Sequence, residues 1–201
     1  MDDSPTAKFK KEILITGLGG QGIILAGQVL GTAACIADHL ESTLTQSYGP
    51  EARGGACSAQ VIISNKQIHY PYVRSADIIV CMSQSGYDKY RHMLADDGIL
   101  IIDQDMVRSA EGAGGGLFPI PATRIAEELG RKMMANIVML GFVTSVTGVA
   151  SLQGMLSSVS DSVPKGTQST NIAAFNKGYD FGQALLKARQ KKAAAKKGAD
   201  S

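Results

Sequence analysis

The sequence predicts a single α/β domain: doubly wound and Rossmann-like, with a β-hairpin insertion and a C-terminal helical segment. Three observations lead there. Residues 12–16 (EILIT) form a short apolar run that ends in glycines and is followed by helical periodicity. Further apolar runs bounded by turn residues recur at 76–82 and 99–103, as buried parallel strands require. The composition, 44% hydrophobic and 19% charged over 201 residues, is that of a chain able to bury its own core.

The elements follow in order. After the first strand, Gly17-Leu18-Gly19-Gly20-Gln21-Gly22 opens a helix in which Ile24, Leu30 and Ala34 recur at helical spacing. A second strand is expected at 43–47. Residues 58–64 (SAQVIIS) are rich in β-formers; Asn65-Lys66 is read as a turn and Gln67–Tyr70 as the returning strand of a hairpin, closed by Pro71. Ala76–Met82 reads as a strand and Ser83–Leu94 as a helix capped by Ser83 or Ser85. Asp96-Asp97-Gly98 reads as a turn into the strand Ile99–Asp103. Phe118-Pro-Ile-Pro121 is extended because each proline biases its predecessor away from α. Helices are expected near 123–130, 132–148 and 152–162, and Pro164-Lys165-Gly166 breaks the chain before a long helical segment from 168. The expected organisation is a flexible N-terminus over 1–11, one domain over 12–186 and a basic, solvated tail over 187–201.

Charge and composition exclude several functions. Six of the 20 basic residues lie in the last fifteen positions, offset there only by Asp200; the body, 1–186, holds 14 basic and 17 acidic groups, a net of −3. With no Trp, five Phe and six Tyr, the chain is poor in platforms for nucleobases, so nucleic-acid binding is not expected. Cys35, Cys57 and Cys81 are spaced too widely for a zinc or iron–sulfur site within this chain, and a sparse, odd count fits a reducing cytoplasm. The polar start MDDSPTAKFKKE is not a secretory signal. Residues 133–160 carry no charge, but Asn136, Gln153 and several Ser and Thr interrupt them. They read as a buried or subunit-contacting helix rather than a membrane span.

The chemistry-bearing features are two loops. Gly17-x-Gly19-x-x-Gly22 stands between strand and helix, where glycines permit a tight turn and the helix start offers unpaired N–H groups to a phosphate. A nicotinamide site also needs an acidic residue after the second strand; Glu41 precedes that strand, and its far end offers Gln46, Ser47 and Tyr48 instead. The second loop is Ser47-Tyr48-Gly49-Pro50-Glu51-Ala52-Arg53-Gly54-Gly55. Arg53 can hold a phosphate or carboxylate, and Gly54 and Gly55 admit close backbone approach. Close strand–helix packing, and an Arg53–Glu51 pair in a surface turn, are the simpler structural readings of the same residues. His39, His69 and His92 have no metal spacing; Cys57 and Cys81 read as core; Asp103 is read as a ligand contact or a turn cap; Asn136 needs a partner if buried. No nucleophile–base set is assembled, and Tyr87 and Lys89 lack the spacing for one helix face.

Four segments carry a resemblance: ILITGLGGQGIILAGQVLGTAA (13–34), TQSYGPEARGGACSAQVIIS (45–64), ADIIVCMSQSGYDKY (76–90) and PKGTQSTNIAAFNKGYDFG (164–182). Together they resemble the gamma subunit of 2-oxoacid:ferredoxin oxidoreductases, most nearly the 2-oxoglutarate type. The resemblance implies a subunit of a cytoplasmic complex that converts a 2-oxoacid and coenzyme A to acyl-CoA and carbon dioxide and reduces ferredoxin. It implies alpha and beta partners, and delta where there is one, carrying thiamine diphosphate, Mg and iron–sulfur clusters. Coenzyme A is then the ligand of this chain. Gly17, Gly19, Gly20, Gln21 and Gly22 match the family's glycine turn, and Ser47, Tyr48, Gly49, Pro50, Arg53, Gly54 and Gly55 its second loop. Two other readings stay open: a free-standing nucleotide-dependent oxidoreductase, and a structural subunit that binds nothing.

Overall fold

The computed structural model describes residues 9–48, 55–109 and 116–199, with side chains as far as residue 195. Six strands form one sheet: β1 (Lys10–Leu18), β2 (Glu41–Ser47), β3 (Ala56–Ser64), β4 (Ala76–Cys81), β5 (Leu94–Asp103) and β6 (Leu117–Ile120). Their spatial order is β2-β3-β1-β4-β5-β6. β1, β4, β5 and β6 are parallel neighbours, whereas β3 runs antiparallel to both β1 and β2.

The helices are α1 (Ile23–Thr32), extended by a π-helical turn over Ala33–Ala37, then α2 (Gln84–Tyr90), α3 (Ala122–Glu128), α4 (Ala135–Thr147), α5 (Leu152–Ser162) and α6 (Gln168–Ala199). The sheet is covered on both faces because its strands are apolar on both sides. Ile13, Ile15, Val61, Ile78, Val80 and Ile101 face α1 and α3–α6; Leu14, Ile62, Ile79, Leu100 and Ile102 face α2 and its neighbouring loops. The α/β class is as the sequence predicts, and the order of the elements agrees with it apart from the region of the predicted hairpin and the turn before β5.

The predicted hairpin is differently built. No strand forms over 67–70. β3 already has β1 on one side and β2 on the other, so a returning strand would find no free edge. The antiparallel partners are β2 and β3 instead, and the chain passes from β3 to β4 beneath the start of β1. There Val73 N–H donates to Gln60 Oε1 at 2.9 Å, and the Arg74 guanidinium stacks 4.3 Å above the Tyr70 ring. The predicted turn at 96–98 is also absorbed into a strand. Ala76 pairs with Leu94 and Ile78 with Ile99, so residues 95–98 bulge out of β5.

The uncharged stretch is accounted for within the chain. Every α4 residue from Ala135 to Thr144 is buried. α4 and α6 meet at glycines: a Cβ on Gly141 would lie 1.9 Å from the Phe175 carbonyl oxygen, and one on Gly178 would lie 1.9 Å from that of Val138. Only glycine lets the two backbones approach so closely. The expected subunit-contacting face of α4 is therefore not left open; α6 occupies it. Among the described residues, no helix is long and apolar enough to cross a membrane.

Candidate functional site

The glycine turn sits at the carboxyl end of β1, beside the end of β4. Gly20 (φ +93°) and Gly22 (φ +70°) occupy left-handed backbone, which favours glycine. Gly17 is required by packing, since a Cβ there would come within 2.5 Å of Gln21 Oε1 and 2.6 Å of Ile23 Cδ1. Gln21 is a strut: Oε1 accepts from Leu18 N–H at 2.6 Å, and Nε2 donates to the Met82 carbonyl at 3.1 Å. The five turn residues thus divide. Gly17 and Gln21 hold the turn together, whereas Gly19, Gly20 and Gly22 bring backbone to its surface.

α1 starts at Gly22 with no side-chain cap and no acidic residue in its first turn, so its leading amides have no side-chain acceptor. Gly19 N–H donates to the Gly55 carbonyl at 3.2 Å, which joins the turn to the end of the second loop. Ser47 and Tyr48 are exposed at the end of β2. Ser47 pairs with Ser58, which pairs in turn with Thr16, so Ser47 lies level with the end of β1 but one strand removed from it. Gly49, Pro50, Arg53 and Gly54 lie outside the described residues.

A feature not legible in the sequence lies beside the turn. A cavity of about 370 Å³ is bordered by Gly20, Gly22 and Leu25 of the turn and α1, by Met134, Asn136 and Ile137 at the start of α4, and by Thr167 and Asn171 at the start of α6. Three helix N-termini converge on one space. Each presents the positive end of its dipole. The Ala135 and Ile137 amides of α4 are already bonded, to the Lys132 carbonyl and to Asn136 Oδ1, so α4 contributes its dipole, whereas the first turn of α1 has no side-chain acceptor. Arg131, Lys132 and Met133 form the rim, and no acidic residue is among those bordering the cavity. Asn136, the buried amide in need of a partner, finds it here: Nδ2 donates to the Gly22 carbonyl at 3.1 Å and Oδ1 accepts from Ile137 N–H at 2.9 Å. This arrangement suits an anionic group on backbone amides with an apolar arm alongside; the volume is within the usual range for small-molecule sites, roughly 300–1,000 Å³.

The remaining candidates are structural. Asp103 is fully buried and caps α3: Oδ2 accepts from Thr123 N–H at 2.9 Å and from Thr123 Oγ1 at 2.5 Å, and Oδ1 accepts from Asp105 N–H at 3.1 Å. Burial raises its pKa above the ordinary carboxylate value, although these hydrogen bonds oppose the shift. Cys57 and Cys81 are buried on opposite faces of the sheet, and burial pushes the Cys81 thiol up to about 12. Among the described residues, no three of His, Cys, Asp and Glu converge as a metal site would require.

The fold and the turn together define a class: a Rossmann-like α/β chain that opens on an uncapped glycine turn and lines a cavity with helix N-termini. Residues 12–181 match the family described as pyruvate ferredoxin/flavodoxin oxidoreductase, and the chain belongs to that family. It is 47% identical over 181 residues to the 2-oxoglutarate synthase subunit KorC of Methanocaldococcus jannaschii, covering 89% of this chain and 97% of that subunit. It is 48% identical to the subunit of the same name from Methanothermobacter thermautotrophicus, covering 87% and 96%. The solved gamma subunit of keto/oxoacid ferredoxin oxidoreductase from Geobacter sulfurreducens superposes with a TM-score of 0.77 at 35% identity, over 87% of this chain and 99% of that one. The 2-oxoglutarate:ferredoxin oxidoreductase of Magnetococcus marinus shares the fold, with a TM-score of 0.78 at 22% identity; the match takes up 31% of that longer chain. The resemblance drawn from the four sequence segments is borne out.

Proposed function

We propose that this chain is the gamma subunit of a 2-oxoglutarate:ferredoxin oxidoreductase and that its task is to hold the nucleotide end of coenzyme A. The observation that carries the reading is the convergence of the α1, α4 and α6 N-termini on a cavity with no acidic border. Backbone amides at Gly20, Gly22 and the first turn of α1 would receive the pyrophosphate, and Leu25, Met133 and Met134 would offer apolar contact to the rest of the ligand. Coenzyme A brings the acyl-accepting thiol. The chain's contribution is position, which lowers a barrier without any acid–base residue.

The described residues offer nothing suited to an iron–sulfur cluster, since Cys57 and Cys81 are buried on opposite faces of the sheet and Cys35 lies on the surface. In this reading, which rests on the family resemblance, alpha and beta partners, with delta where there is one, would carry thiamine diphosphate, Mg and the clusters.

Anaerobic purification from the native host tests the subunit reading. Co-purification of thiamine- and cluster-bearing chains with coenzyme A-dependent 2-oxoglutarate oxidation supports it; a chain that arrives alone and still binds a nucleotide overturns it. Arg53→Ala in the assembled complex tests the second loop. A raised KM for coenzyme A is expected, and an unchanged KM removes Arg53 from the site.

A further inference from the structure

Resting on the coenzyme A reading above, we propose that Arg131 is the specificity residue that reads the separate phosphate monoester on the ligand's nucleotide. Arg131 borders the cavity from a fixed backbone. Its N–H donates to the Ala126 carbonyl at 3.1 Å, and its own carbonyl accepts from Met134 N–H at 3.0 Å. Its Cα is thus pinned between α3 and the start of α4, and only the side chain is left to move.

Two cations of the neighbouring segments have carboxylate partners of their own. Lys132 pairs with Glu127 at 3.1 Å, and Arg124 pairs with Asp105 at 2.5 Å. Among the described residues, no carboxylate lies within 4.0 Å of the Arg131 guanidinium. An uncompensated guanidinium at the mouth of a cavity with no acidic border is arranged for an oxyanion, and its planar fork matches a terminal phosphate in bidentate fashion.

The cavity therefore holds two kinds of anion donor. The helix amides suit a pyrophosphate bridge, in which each phosphorus carries a single charge. The guanidinium suits a monoester, which carries about −1.5 to −2 near pH 7. A ligand with a single phosphate group engages only one of these. A nucleotide bearing both a pyrophosphate and a separate monoester engages both, and coenzyme A is of that kind.

The test uses the assembled complex and compares kcat/KM for coenzyme A with that for dephospho-coenzyme A, which lacks only the monoester. The expected wild-type preference for coenzyme A is about ten- to a hundredfold, the range of one charge-assisted bidentate contact. Arg131→Ala is expected to abolish that preference by raising KM for coenzyme A, while KM for dephospho-coenzyme A and kcat at saturation stay as in wild type. Arg131→Lys, which keeps the charge and loses the fork, is expected to fall between. Equal losses on both substrates, no change on either, or a wild type without preference would each overturn the role of Arg131.

A second pair separates this from failure of the underlying reading. Gly20 has open space around it, so Gly20→Asp and Gly20→Asn suffer the same backbone strain and differ in charge. A higher KM for both substrates in the aspartate variant than in the asparagine variant keeps the glycine-turn site, whatever Arg131 does. Identical KM values in the two variants remove the site itself.

Discussion

Asn136, in the first turn of α4, donates from Nδ2 to the carbonyl oxygen of Gly22, the residue that opens α1, across 114 positions of sequence. One hydrogen bond thereby sets the start of one helix against the start of another and holds the cavity wall between them.

Gly22 is fixed twice, by φ +70° and by the 2.3 Å that would separate a Cβ from Asn136 Nδ2. Gly22→Ala is expected to cost about 1–3 kcal/mol of stability from backbone strain, plus the clash. Combining it with Asn136→Ala removes the clash and leaves the strain. Denaturant unfolding of the double variant should then depart from additivity by more than about 0.5 kcal/mol.

The α4–α6 contact tolerates no side chain at Gly141 or Gly178, since each Cβ would strike a backbone carbonyl that cannot turn aside. Either glycine replaced by alanine is expected to cost at least about 3 kcal/mol, because the helices must separate along their length. Thermal unfolding of the two variants measures this.

Asp103 gives a pH dependence of defined sign. Its pKa is raised in the folded state, so the folded chain binds the proton more tightly than the unfolded chain. Its contribution to stability is complete below the ordinary value of 3.8 and is lost as pH rises through the raised one. Unfolding free energy measured against pH should therefore fall across that window in the wild type. In Asp103→Asn that component of the slope should be absent.

Arg189 tests how the long helix is held. Its guanidinium lies 3.9 Å from the centre of the Phe118 ring and donates to the Leu117 carbonyl, which secures α6 to the edge strand β6. Arg189→Ala is expected to cost about 1–2 kcal/mol and to speed hydrogen exchange at Phe118 and Ile120. Lysine, without the planar face, should restore little of either.

The three thiols should separate by accessibility. Cys35 is exposed, whereas Cys57 and Cys81 are buried, with the Cys81 thiol pushed up to about 12. Alkylation of the isolated folded chain near pH 8 should modify one cysteine, and denaturant should release the other two. Rapid labelling of Cys81 in the folded chain would contradict this packing.

Local patterns carried much of the fold. The β1–glycine turn–α1 unit, β4, the Ser83 cap of α2 and the run of helices from 122 onward all rest on signals within a few residues of one another, and each lies near its predicted place. Predictions that depended on distant partners fared differently. The hairpin over 58–70 matched local turn chemistry, yet β3 lies between β1 and β2 and leaves no edge for a return strand. Arg189 lies in the run read as solvated and is docked on Phe118. Within the uncharged run over 133–160, read as buried or subunit-contacting, α4 is buried from Ala135 to Thr144 and packs on α6, whereas Met133 and Leu152 are exposed.

The sequence by itself determined the α/β class, the glycine turn and the family, because strand and helix periods, glycine spacing and motif order are written along the chain. Tertiary structure alone decided where β3 pairs, that Gln21 serves as a strut to Met82, and that α1, α4 and α6 point their N-termini at one cavity. The physical reason is that a strand edge, an amide or a helix end has many acceptable partners. Which one it takes depends on what remains unpaired once the rest of the chain has packed.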